Sequence, residues 1–134
     1  MLRIACILVL TFLPWARASS ETARTNYLLN CMGCHLMDGS GTKDKVPSLK
    51  GEVARFLHVD GGRAFLVQVP GTAQSRLNDA ETAEVLNYIL RTFDPDHLPD
   101  SFIPYTEEEV AQHRGTQLVD AMARRAELAA GFKD

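Results

Sequence analysis

Apolar positions in this chain fall in short blocks divided by turn residues, and the spacing inside the blocks predicts helices. Ile4 to Leu13 is apolar apart from Thr11. Glu21 to Asn30 has helical spacing, with Ala23, Tyr27 and Asn30 on one side. Asp38 to Ser48 reads as loop, punctuated by Gly39, Gly41 and Pro47. Gly51 to Val59 fits a short helix with Val53, Phe56 and Leu57 facing inward. Ala64 to Val69 is an apolar run too brief to separate helix from strand by periodicity, and Phe65, Leu66, Val67 and Val69 are its expected core residues.

The clearest helix starts at Asn78. Asn78 and Glu81 fit a capping box, in which each side chain satisfies a backbone N–H left free at a helix start. Leu86, Ile89, Leu90 and Phe93 then recur at helical spacing as one apolar stripe, and Pro95 ends the helix. Beyond it, Pro95, Pro99 and Pro104 predict a stiff connector. Thr106 and Glu109 fit a second capping box, opening a helix to about Arg114, and Gly115 interrupts it. Glu107, Glu108 and Glu109 suit the first turn of that helix through the helix dipole. Thr116 to Ala130 predicts a last amphipathic helix with Leu118, Ala121, Met122, Leu128 and Ala129 on its apolar side, and Gly131 stops it. These tail helices are too short to stand alone in water, so they dock on the rest of the chain or on a partner.

Composition narrows the class. The chain has 134 residues, 46% hydrophobic and 23% charged, which is one ordinary domain. A net charge of −3 argues against a nucleic-acid face. No apolar run reaches the roughly 18 residues of a membrane span. Met1 to Ala18 reads instead as a secretory signal: Arg3 is the basic start, Ile4–Leu13 the apolar stretch, and Ala16-Arg17-Ala18 a small-x-small cleavage site. The alternatives are a buried N-terminal helix, or a membrane anchor if the segment is retained. Cleavage after Ala18 removes Arg3, Arg17 and Cys6. The acidic excess grows, only Cys31 and Cys34 of the three cysteines remain, and both lie outside the reducing cytosol.

Those two cysteines stand in Cys31-Met32-Gly33-Cys34-His35. Thiols three positions apart on a helical turn point the same way and can add to the two vinyl groups of one haem, and the next residue can offer an imidazole to iron. Three other uses of paired cysteines stand beside this one. A thioredoxin-like redox pair wants a preceding strand, which the pattern lacks. Half a zinc site wants a second ligand pair, and His58, His97 and His113 are too scattered to supply it. A chance match or a simple disulfide is the third.

From about Thr22 to Phe93 the chain resembles the small class I cytochromes c. The resemblance rests on residues in that family's order: Ala23 and Tyr27, Cys31-Met32-Gly33-Cys34-His35, a Gly-rich loop leading to Pro47-Ser48-Leu49, and Asn87-Tyr88-Ile89-Leu90 in the last helix. It implies an all-α fold around one covalently attached haem c, with additional C-terminal helices here. It divides the chain into a signal peptide (1–18), a cytochrome c haem domain (19–94) and a C-terminal helical extension (95–134). It also implies His35 as the proximal iron ligand, Pro47 as the acceptor whose carbonyl orients the imidazole, and a helix crossing where Tyr88 meets Ala23 and Tyr27.

On the far side of the iron the chain departs from that family, which usually supplies a methionine from the loop before the last helix. Asp60 to Leu77 contains no methionine. Met37 is too close to His35 to pass round the ring, Met32 lies on the proximal side, and Met122 lies in the tail and reaches only by an unusual fold-back. His58, at a helix end beside the Asp60-Gly61-Gly62 turn, is the candidate distal ligand, against a site left open or filled by water. Arg63 is the candidate partner of a haem propionate, against a plain exposed arginine.

The function implied is single-electron transfer between redox proteins in the periplasm, not catalysis. The expected partners are a periplasmic dehydrogenase and a terminal oxidase or another cytochrome, met in small, transient encounters. The acidic excess favours a basic patch on the partner. Val69-Pro70-Gly71 and the long tail look similar to small cytochromes that accompany periplasmic amine or alcohol dehydrogenases. Two alternatives stand: an open-site haem protein that binds a gas or peroxide, and a fixed subunit of a larger redox complex.

Overall fold

The computed structural model describes residues 15–133. The apolar run Ile4–Leu13, and with it most of the expected signal segment, lies outside the described residues. Helix α1 runs Trp15–Asn30, so the helix expected from Glu21 reaches back through Ala18. Helix α2 is the single turn Met32–His35. A 3-10 turn follows at Val53–His58, then α3 at Gly62–Gln68 and α4 at Pro70–Ala73. Helix α5 is Asp79–Phe93, and a 3-10 turn at Pro95–His97 leads out of it. Helices α6 (Glu107–Arg114) and α7 (Ala121–Ala129) complete the chain. Among the described residues the one extended pairing is a bridge between Thr42 and Val46, and the fold is all-α.

The start of α5 follows from its sequence. Asn78 Oδ1 accepts the Glu81 backbone N–H at 2.8 Å, and the Glu81 carboxylate accepts the Asn78 N–H at 2.9 Å. Two donors that no helical carbonyl can reach are thereby satisfied. Its apolar stripe packs on α1, where Ala23 and Tyr27 are buried. The Tyr27 ring lies 5.9 Å from Tyr88 and 5.0 Å from Phe93. Beneath this crossing, Val53, Phe56, Phe65 and Val67 join Leu86, Ile89 and Leu90 in one core.

The run that periodicity left undecided is helical for a local reason. Gly61 takes φ of 77°, a left-handed conformation open to glycine, and turns the chain into α3. Gly62 is buried beneath the Phe56 carbonyl, which a Cβ would strike. Phe65, Leu66 and Val67 are buried as the sequence predicts.

The extension folds back, and Tyr105, Val110 and Leu128 enter the same core. Three expectations about it are corrected. Thr106 Oγ1 does accept the Glu109 N–H, at 3.3 Å, but the Glu109 carboxylate does not return to the cap. Arg63 takes both its oxygens at 2.7 and 2.6 Å, because a guanidinium fork offers two charge-assisted bonds where the cap offers one neutral amide. The last helix starts at Ala121 rather than Thr116, since Asp120 caps it by accepting the Met122 and Ala123 N–H groups at 3.0 and 2.9 Å. Met122, expected on the apolar side, is 57% exposed.

Candidate haem site

Cys31 follows α1 directly, and its N–H donates to the Tyr27 carbonyl at 2.8 Å. The N–H groups of Cys34 and His35 then donate to the Cys31 carbonyl at 3.2 and 3.0 Å. Cys31 to His35 is thus one tight turn, with the two cysteines at i and i+3 on one side. Both thiols are free, Cys34 exposed and Cys31 half-buried. Burial, with Cys34 alongside, pushes the Cys31 thiol up to about 11.

Leu36 leaves this turn with φ of 60°, unusual for a branched residue. The Tyr27 hydroxyl holds it there by donating to the Leu36 carbonyl at 2.6 Å. The chain then loops back. Gly41 N–H donates to the His35 carbonyl at 3.1 Å, and Leu49 N–H to the Gly39 carbonyl at 2.8 Å. Gly41, at φ of 71°, lies against the Val46 and Pro47 carbonyls, where any Cβ would collide. This close approach brings Pro47 to His35. The Pro47 carbonyl favours the protonated ring, but burial is the larger effect and holds His35 below the usual histidine range. Nδ1 is buried with no partner inside hydrogen-bond limits, so the Pro47 contact is a loose one.

The other sequence candidates lie elsewhere. His58 is exposed, with Nε2 at 2.8 Å from the His97 carbonyl. It lines a shallow cleft with Arg55, His97 and Phe132. Arg63 is engaged by Glu109, donates to the Ile103 carbonyl at 2.8 Å, and lies over the Tyr105 ring. Both residues turn to the extension for these contacts rather than to the Cys31–His35 turn. Met37 is 67% exposed just past His35. Among the described residues no three His, Cys, Asp or Glu side chains gather to hold a metal ion.

Sequence reasoning placed Tyr27 at the helix crossing and missed its hydroxyl bond to Leu36. The signal was a tyrosine one helical turn before Cys31.

No known family model matches this chain. Cytochrome c-552 of Thermus thermophilus is 31% identical over 118 residues, spanning 73% of this chain and 90% of that protein. The cytochrome c-552 of a specified strain of that species has the same 31% identity and is covered over 80% of its length. This chain belongs to the c-type cytochromes. As one of them it carries covalently bound haem c and takes part in electron transfer with redox partner proteins. Its residues fit that group: two free thiols share one turn with a half-buried imidazole at the next position.

Proposed function

We propose that this cytochrome is an exported, periplasmic monohaem carrier of single electrons, with Cys31 and Cys34 as the thioether anchors and His35 as the proximal ligand. The observation that carries the assignment is the single turn holding both free thiols and the neighbouring imidazole. Haem c supplies an iron that accepts and releases one electron. The protein supplies a fixed seat for it. Tyr27 locks the exit of the turn through Leu36, and burial keeps the His35 imidazole neutral and ready to coordinate. The Pro47 carbonyl stands loosely beside the imidazole and would orient the ring through Nδ1 when the other ring nitrogen holds iron. The segment from Asp60 to Leu77 precedes the last core helix, where the class I cytochromes place the cover over the iron's other face, and would cover the side opposite His35 here. Met1 to Ala18 is the export signal, residues 19–94 form the haem domain, and residues 95–134 are an extension folded onto it. In this assignment His58 and Arg63 serve the packing of that extension, because their polar groups are already engaged there.

The test is the mass and the pyridine haemochrome of protein exported to a periplasm. The intact chain retains haem after denaturation and gives a c-type haemochrome. Cys31→Ala and Cys34→Ala each lose one covalent link, and the double variant loses bound haem entirely. Covalent haem in the double variant would overturn the assignment, as would a wild-type protein without haem.

A further inference from the structure

Helix α6 grips both ends of the segment that runs from α3 to the start of α5. At the near end, Glu109 holds the Arg63 guanidinium with both oxygens, at 2.6 and 2.7 Å. Tyr105, just before α6, lies 4.1 Å from that guanidinium and donates its hydroxyl to the Arg63 carbonyl at 2.9 Å. At the far end stands Arg114, the last residue of α6. Its Nε donates to the Ala73 carbonyl at 3.0 Å. Nη1 donates to the Leu77 carbonyl at 2.7 Å and to Asp79 Oδ1 at 2.9 Å. Nη2 donates to the Ser75 carbonyl at 2.7 Å and to Ser75 Oγ at 3.2 Å. That uses all five N–H donors of a guanidinium.

The stretch from Gln74 to Leu77 is irregular, between α4 and the Asn78 cap. Its own backbone bonds are the Gln74 N–H to the Pro70 carbonyl and the Ser75 N–H to the Thr72 carbonyl. The Ser75 and Leu77 carbonyls therefore take their protein partner from Arg114, whose side chain is 18% exposed. Without it those carbonyls turn to water, and only the Gln74 and Ser75 N–H bonds at its near end still hold the stretch. Asp60 to Leu77 also contains no methionine, so no iron–sulfur bond can tether this segment from the inside.

We propose that Arg114 is a positioning residue for the iron's far side: it ties Ala73 to Asp79 in place from the extension, and so governs how readily an outside ligand reaches the iron and at what potential the iron is reduced. The proposal rests on the reading that Asp60 to Leu77 covers the iron opposite His35. A lysine cannot replace the arginine fully, because an ammonium has three donors and no fork.

The experiment uses the haem-loaded full chain with Arg114→Ala and Arg114→Lys. Asp79→Asn serves as a milder variant that removes only the ion pair. Three quantities are read: amide exchange over residues 69–78, the rate of carbon monoxide binding to the reduced protein, and the midpoint potential. In Arg114→Ala, exchange at residues 74–77 rises about tenfold or more. Carbon monoxide binds several-fold faster and the potential shifts, while haem content and exchange in α1 and α5 stay as in the wild type. Arg114→Lys falls between the two. Unchanged exchange at residues 74–77 overturns the proposal. Faster exchange with unchanged carbon monoxide binding and unchanged potential also overturns it, because the segment would then be held without acting on the iron. Failure of the electron-carrier reading itself is a separate result, seen as absence of covalent haem in the wild-type protein.

Discussion

Cys31 and Cys34 share a turn but not an environment. Cys31 is half-buried and its thiol is pushed up to about 11, whereas Cys34 is exposed. The thiolate is the reactive form. In the haem-free protein at neutral pH, iodoacetamide should therefore label Cys34 well before Cys31, read by peptide mass spectrometry; equal rates would contradict the burial argument. A linkage follows from the same shift. The folded state keeps the Cys31 proton up to about 11, while an unfolded thiol loses it near the ordinary value of 9.0. Above that value the unfolded state binds fewer protons, so stability of the haem-free chain falls as pH rises, and Cys31→Ser flattens the fall. Gly41 is the second decisive residue here. Its left-handed φ of 71° and its contact with the Val46 and Pro47 carbonyls leave no room for a side chain. Gly41→Ala should cost at least about 1–2 kcal/mol from the backbone conformation alone. It should also move the Pro47 carbonyl away from His35, which a shifted midpoint potential of the loaded protein would report.

At the scale of elements, the exit of α5 depends on a residue that reads in sequence only as a helix end. Asp94 is buried; one carboxylate oxygen accepts the Ala54 N–H at 2.8 Å and the other meets His97 Nδ1 at 2.6 Å. It joins α5 to both 3-10 turns. Asp94→Ala leaves the Ala54 N–H without its partner, at a cost of about 1–3 kcal/mol. A thermal midpoint lowered by about 4 °C or more checks this, with the haem spectrum unchanged. Asn78, Glu81 and the apolar stripe of α5 were legible because caps and periodicity are local. The Glu109 carboxylate was not, because its partner Arg63 lies 46 positions away and outcompetes the nearby amide.

For the whole molecule, the extension is a structural part of this cytochrome. Tyr105, Val110 and Leu128 enter the common core, Arg125 pairs with Glu52 at 2.6 Å, and Phe132 packs edge-on against Phe56 with ring centroids 4.9 Å apart. Ending the chain before Thr106 strips Val110 and Leu128 from the core, at about 1.5–3 kcal/mol each. The thermal midpoint should fall by roughly 10 °C or more. A truncated protein as stable as the full chain would mean that the extension adds nothing to the core.

Local patterns made the proposed haem seat and the core helix legible in the sequence: two thiols and an imidazole at helical spacing, a Gly-rich return loop to Pro47, and an apolar stripe ending at Pro95. They are set by the geometry of a helical turn and the conformations open to glycine and proline. Tertiary structure decided what the polar side chains do. His58 and Arg63 read as haem residues from their neighbours along the chain, yet His97, Ile103 and Glu109 engage them in space. Arg114 showed no role in the sequence, because each of its acceptors lies 35 or more positions earlier. A charged or polar group binds whatever fold brings within reach, and sequence distance carries no record of that.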